Sequence, residues 1–282
     1  MQRLPTEPLP PLPLLFRGLE LGAHGFTKLF MATSLMGFLG LMPTVEMAER
    51  VGDNPMAQDP ASMLALLSGR WFMVWIVSVS CTLLVQGVVI ARLDRMARDI
   101  AVDFRGEALQ GLRAWIPLLG TVLLCIGILI VAMIPVTLIG LLTGALGMVV
   151  LGRAGFTAVT TATIIAGAAC IAIYLLFIQF LVVLEHRSPV DSINKSFNLV
   201  YKNWWHTFLV LLALLAMVIG IGVLAAIPFA SWLRSVPMVD TGRSMLEKGV
   251  LQMIAVAIFT PFSLSVTYLL YNDLKLRKHG HA

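Results

Sequence analysis

The stretch FLVVLEHRSPVDSINKSFNLVYKNWWHTFLVLL, Phe180 to Leu212, joins two long apolar runs through an acid-base cluster, a polar segment and a Trp pair. An acidic side chain at the centre of a bilayer is disfavoured by about 2.5–3.5 kcal/mol on insertion scales, whereas at the boundary it meets water and counter-charges. Glu185, His186 and Arg187 therefore mark the end of one membrane helix. Trp204 and Trp205 open the next at headgroup level, where amphipathic rings collect.

Working outward, the composition agrees. Of 282 residues 59% are hydrophobic and 12% charged, with a mean hydropathy of +0.90. Soluble domains carry about 25% charged residues. The expected fold class is all-α: a polytopic membrane protein. The net charge of +5 is spread over short connections rather than gathered in one patch, so it fits membrane topology and no nucleic-acid partner is expected. The three cysteines, Cys81, Cys125 and Cys170, all fall in apolar runs and read as small core residues. The N-terminus, MQRLPTEPLPPLPLL, has no basic region followed by a clean apolar stretch and cleavage site, and its prolines favour an extended lead-in.

Sustained apolarity places six transmembrane helices near 26–43, 71–92, 115–135, 157–184, 204–228 and 249–271. Pro135 removes a helix hydrogen bond in an overlong run and is taken to end the third span, leaving 136–156 as a re-entrant or interfacial segment. With both termini cytoplasmic, the inner side holds fourteen basic residues: Arg3, Arg17, Lys28, Arg92, Arg95, Arg98, Arg105, Arg113, Arg187, Lys195, Lys202, Lys275, Arg277 and Lys278. The outer side keeps six: Arg50, Arg70, Arg153, Arg234, Arg243 and Lys248. That bias sets the orientation.

A period runs through the pattern. Phe26, Trp115 and Trp204 open the odd spans at equal intervals, Pro43, Pro135 and Pro228 close them, and Asp94, Glu185 and Asp273 close the even ones. Three repeated helical hairpins are expected, over 16–95, 96–187 and 188–275, between a proline-rich tail (1–15) and a basic tail (276–282). Each acid precedes a base: Asp94 with Arg95, Glu185 with His186 and Arg187, Asp273 with Lys275. Ahead of the odd spans, LLFRGLELGAHGF, GEALQGLRAW and VDSINKSFNLVYKNWW mix apolar and polar residues at helical spacing and read as cytoplasmic interfacial helices. In the last, Val190, Ile193, Phe197, Val200 and Tyr201 share a face, and Asp191 or Ser192 caps the start. Arg113, Trp115, Lys195, Lys202, Trp204 and Trp205 are the expected lipid or interface contacts, since cations on such segments attract anionic headgroups.

The segment SPVDSINKSFNLVYKNWWHTF and the ending TPFSLSVTYLLYNDLKLRKHG resemble the bacterial six-span inner-membrane family that includes YciC, and the membrane domain fused to some glycerophosphoryl diester phosphodiesterases. In the ending, Pro261, Tyr268, Tyr271, Asp273, Lys275 and Arg277 carry the resemblance. It implies a helical, non-catalytic inner-membrane protein linked to the envelope or its lipids, and brings no catalytic residue.

No chemistry-bearing constellation stands out beside it. The assigned spans hold Lys28 near an end, and otherwise Gln86, Tyr174, Gln179, Gln252 and the Ser/Thr group at 260–267, residue types that join helices by hydrogen bonds. His24, His186, His206, His279 and His281 are scattered, so neither a metal nor a cofactor is expected. The expected function is non-enzymatic organisation of membrane lipids, of a membrane protein partner or of further copies of the chain. The alternative is a transporter or channel with a cavity lined by Gln86, Gln179 and the Thr260 to Thr267 region.

Overall fold

A computed structural model describes residues 4–5, 7–53, 69–101, 103–235 and 241–279. Among them every regular element is an α-helix: α1 (Pro11–Asp53), α2 (Arg70–Ala97), α3 (Phe104–Leu175), α4 (Ile178–Glu185), α5 (Pro189–Tyr201), α6 (Trp204–Ser235) and α7 (Thr241–His279). Among the described residues, six stretches are long and apolar enough to cross a bilayer: Pro11–Ala48, Arg70–Ala97, Phe104–Val149, Gly152–Glu185, Trp204–Ile221 and Gly249–Lys278. The chain is an all-helical, multi-pass membrane protein. Residues 54–68, between α1 and α2, and His281 of the C-terminal tail lie outside the described residues.

The helices fall into two compact units, Met1–Trp115 with Leu209–Ala282, and Ile116–Phe208. In the first, α1 runs antiparallel to both α7 and α2, and its most extensive packing is with α7. Glycines let the backbones approach: a Cβ on Gly18 would lie 2.7 Å from the Val266 Cα, and one on Gly37 2.8 Å from the Met253 carbonyl oxygen. With no water to expel between helices in lipid, such close packing is a main source of association.

Two prolines sit inside these helices rather than at their ends, which corrects the boundary expected at Pro43. A proline deprives the carbonyl four residues earlier of its donor, and in hydrocarbon a neighbouring hydroxyl can replace it. Pro43 frees the Leu39 carbonyl, and Ser78 of α2 donates to it. Pro261 frees the Ala257 carbonyl, and Thr33 of α1 donates to it at 3.1 Å. Trp71 adds a bond from its indole N–H to the Pro43 carbonyl, 3.1 Å.

The N-terminal prolines are not all extended either. α1 starts at Pro11, with Leu14 N–H donating to the Pro10 carbonyl at 3.2 Å. First-turn N–H groups have no intrahelical acceptor, so Pro11 and Pro13 sacrifice nothing there. Among the described residues, the lead-in outside the helix is confined to 4–5 and 7–10.

The second unit is built on a sharp reversal within α3. Gly152, at φ 64° and ψ −153°, takes a conformation open to glycine and folds the chain back so that Gly155–Gly167 runs along Val136–Gly147. Residues 136–149 are the continuation of a helix that passes through Pro135, which corrects the end expected there. Gly140, Gly144 and Gly147 line the contact: a Cβ on Gly147 would lie 2.8 Å from the Gly155 carbonyl oxygen. Thr160 donates to the Gly140 carbonyl at 3.2 Å, and the Thr143 and Thr163 hydroxyls are 3.3 Å apart.

Of the three expected interfacial helices only the last is separate. LLFRGLELGAHGF is part of α1, and GEALQGLRAW forms the first turns of α3. There, antiparallel packing against α2 through Gly111 and Val88 keeps one continuous helix. α5 stands alone. Its cap is Ser188, not Asp191 or Ser192: the Ser188 hydroxyl accepts from the Asp191 N–H at 3.3 Å and donates to the Asp191 carboxylate at 2.8 Å. Its buried stripe is Ser192, Ile193, Ser196, Leu199 and Val200, whereas Val190, Phe197 and Tyr201 are exposed. The hydroxyls explain the shift. The Ser196 hydroxyl donates at 2.6 Å to the Tyr174 carbonyl, just before the break between α3 and α4. That requires the serine face to turn inward.

Candidate functional site

The polar side chains gather where helices end. In the first unit, the antiparallel packing brings the α2 C-terminus, the starts of α1 and α3 and the α7 C-terminus to one end, and three clusters form there.

The first is Arg92 with Glu107. Glu107 is fully buried, and the Arg92 guanidinium donates to it from Nε at 2.8 Å and from Nη1 to the Lys28 carbonyl at 2.8 Å, with the Phe104 ring 5.9 Å from Arg92 Cζ. A buried charge persists when paired and hydrogen-bonded. Glu107 occupies the stripe Glu107, Gly111, Ala114 that faces inward at helical spacing. That spacing was the signal in the sequence: an acid in register with small inward-facing residues.

The second is Asp94. Its Oδ1 accepts from the Tyr268 hydroxyl at 2.6 Å and from Arg98 Nε at 3.0 Å. The expected partner Arg95 turns instead toward Asp103, 4.0 Å away. On a helix the neighbour one residue on points elsewhere, while the residue four on lies over the same face. The Asp94 hydrogen bond raises the Arg98 guanidinium above its ordinary pKa, so Arg98 stays charged.

The third is Asp273, fully buried. Oδ2 accepts from Arg277 Nε at 2.7 Å, again four residues on, and the Lys275 ammonium lies 5.3 Å from the Tyr271 ring centroid. Oδ1 accepts from the Leu9 N–H at 2.7 Å, and Arg277 Nη2 donates to the Leu9 carbonyl at 2.5 Å. The acid read as a helix-end marker thus clamps the backbone of the N-terminal strap on both its polar groups.

In the second unit, Glu185 accepts from Lys195 and, at 3.2 Å, from Arg187. Lys195, expected at the lipid surface, is engaged internally. His186 takes the left-handed conformation at φ 52° that closes α4. Trp204 stacks on Phe208, centroids 5.1 Å apart, and Trp205 is edge-on to Trp204 and 70% exposed. Trp115 is half-buried, its indole N–H bonded to the Ser80 carbonyl at 3.0 Å, so its role is to pin α3 to α2.

What remains outside these clusters is cationic. Among the described residues, Arg17, Lys28, Arg105, Arg113, Lys202 and Lys278 find no side-chain hydrogen bond, ion pair or ring contact, and all but the half-buried Arg17 are exposed. The hydroxyls of Ser263, Ser265 and Thr267 bond to carbonyls of their own helix. No group of three or more His, Cys, Asp or Glu that could hold a metal ion occurs among the described residues.

A family model, a domain of unknown function (DUF7847), matches residues 22–274. The chain belongs to this family. The family match takes in Asp94, Glu107, Glu185 and Asp273, while Leu9 and Arg277 of the strap clamp lie beyond its ends. No curated protein matches the chain, and no solved structure matches it.

Proposed function

We propose that this protein is a non-enzymatic component of the bacterial inner membrane, with both termini in the cytoplasm, that gathers anionic lipids along its cytoplasmic edge. One observation carries the reading. The acids at the helix ends are engaged by Arg92, Arg98, Arg187, Lys195 and Arg277, while the exposed cations Lys28, Arg105, Arg113, Lys202 and Lys278 have no acid partner among the described residues. Near a leaflet with anionic headgroups each such cation contributes about 1 kcal/mol of attraction. Trp205, three residues after Lys202 and exposed, supplies an amphipathic ring suited to the headgroup level.

The experiment is native mass spectrometry of the protein released from nanodiscs of mixed phosphatidylglycerol and phosphatidylethanolamine. Retention of phosphatidylglycerol well above its share of the bilayer, reduced when Lys28, Arg105, Arg113 and Lys202 are changed together to Gln, is the expected result. Release free of lipid, or adducts in proportion to the bilayer composition, overturns the reading. Adducts of a second protein or of further copies of the chain would redirect it to a protein partner.

A further inference from the structure

The Asp273–Arg277 clamp does more than anchor a tail. It fixes the residues that follow Leu9, and these build one wall of a groove of about 510 Å³ whose other wall is α6. The strap supplies Pro10, Pro11, Leu12 and Pro13, and α6 supplies Leu209, Leu212, Ala213 and Ala216. The α6 residues recur at helical spacing and form one stripe, with the alanines leaving room between the leucines. Leu12, Leu209 and Leu212 are 60%, 47% and 46% exposed, so the groove is open along its length.

The chemistry of the walls selects the occupant. None of the eight side chains has a polar atom. Three of the four strap residues are prolines and have no N–H, and the Pro10 carbonyl is already bonded to Leu14. A peptide or a polar solute laid in such a groove would leave its own donors unmatched, which is unfavourable away from water. A hydrocarbon chain has none. The α6 wall falls within the membrane-spanning stretch Trp204–Ile221, so the available hydrocarbon is lipid. An apolar cavity of roughly 150 Å³ accommodates one benzene ring, and a groove more than three times larger suits an extended chain.

The wall is held in place deliberately. A fully buried carboxylate and an arginine satisfy both backbone groups of Leu9, a residue that has no helical partner of its own. We propose that the groove between the proline strap and α6 is a binding site for one acyl chain of a membrane phospholipid, with the clamp setting its width. The headgroup then lies at the Leu9 end of the groove, where Arg277 reaches the strap. This inference deepens the lipid-gathering reading and rests on it.

The test uses the full chain in nanodiscs containing a phosphatidylglycerol with a photoactivatable diazirine on its acyl chain, followed by peptide mapping of the cross-links. Cross-links concentrated several-fold on residues 209–216 over the exposed stretch 129–142 of α3 are expected. Ala216→Trp, which fills the groove, should abolish that excess, and Ile219→Trp, outside the groove, should leave it. Asp273→Asn should lower it, with circular dichroism and size-exclusion profiles showing the protein folded. Cross-links spread evenly over the lipid-facing helices, or an excess untouched by Ala216→Trp, overturn the site. If phosphatidylglycerol is still retained in native mass spectra, only the groove fails; if it is not, the lipid-gathering reading fails with it.

Discussion

Thr33 Oγ1 lies 3.1 Å from the Ala257 carbonyl oxygen, the acceptor that Pro261 leaves without a backbone donor. The same hydroxyl also stands within 3.2 Å of the Leu29 and Phe30 carbonyls in its own helix. It has a single proton to give. Leu29 and Phe30 have no proline four residues on, so the Ala257 bond is the one whose loss strands a buried acceptor.

Thr33→Val keeps the shape and removes the donor. Stability should fall by about 1 kcal/mol, the size of an interhelical hydrogen bond in a membrane protein. In a Pro261→Ala background, where the helix regains its own N–H, the same substitution should be close to neutral. Denaturant unfolding in micelles over the four-variant cycle measures this, and an equal loss in both backgrounds would contradict the pairing.

Arg92 and Glu107 give a sharper cycle. Glu107→Leu alone strands a guanidinium with no counter-charge and should cost about 3–5 kcal/mol. Joining it with Arg92→Leu should recover most of that loss, because two apolar side chains replace a pair that had to be desolvated together. Thermal unfolding of the three variants provides the comparison, and a double variant less stable than the single one would count against the burial seen here.

The hairpin of α3 depends on backbone contact at Gly147. A Cβ there would lie 2.8 Å from the Gly155 carbonyl oxygen and 3.0 Å from Val159 Cγ2, whereas Gly127 has nothing within 4 Å. Gly147→Leu should destabilise the protein by at least about 1–3 kcal/mol, the usual range for overpacking. Gly127→Leu should leave stability unchanged or slightly raised. Similar behaviour of the two variants would refute the close approach.

Asp273→Asn should release the strap. The Leu9 amide then loses a charged acceptor, and hydrogen exchange over residues 7–10 should accelerate, while Asp94→Asn, which leaves the strap's own partners intact, should not affect it. Exchange followed by mass spectrometry on both variants decides the point.

Six spans could be read from hydropathy because the bilayer imposes one simple rule: a long run without charges. Their boundaries could not. Pro43 and Pro135 look like helix ends in a sequence, but both lie inside helices, and the donor that replaces Pro43's lost bond, Ser78, comes from a different helix. Gly152 gave no warning among many other glycines in the same run. The acids at the helix ends are legible as a class, each one or two residues before a base, and Arg187 does engage Glu185, but helical geometry also brings Asp94 and Asp273 the bases four residues on, Arg98 and Arg277. The Leu9 clamp joins residues 264 positions apart, a relation that no local pattern contains.

The lipid-gathering reading requires that the unpaired cations face one leaflet. Substituted-cysteine labelling tests this most directly: Cys81, Cys125 and Cys170 are replaced by Ala, single cysteines are placed at Lys202, Lys278 and Arg153, and a membrane-impermeant thiol reagent is added to intact cells and to inverted vesicles. Labelling of 202 and 278 only in inverted vesicles, and of 153 only in intact cells, is expected. Labelling of 202 and 278 from opposite sides would contradict the proposal at its root.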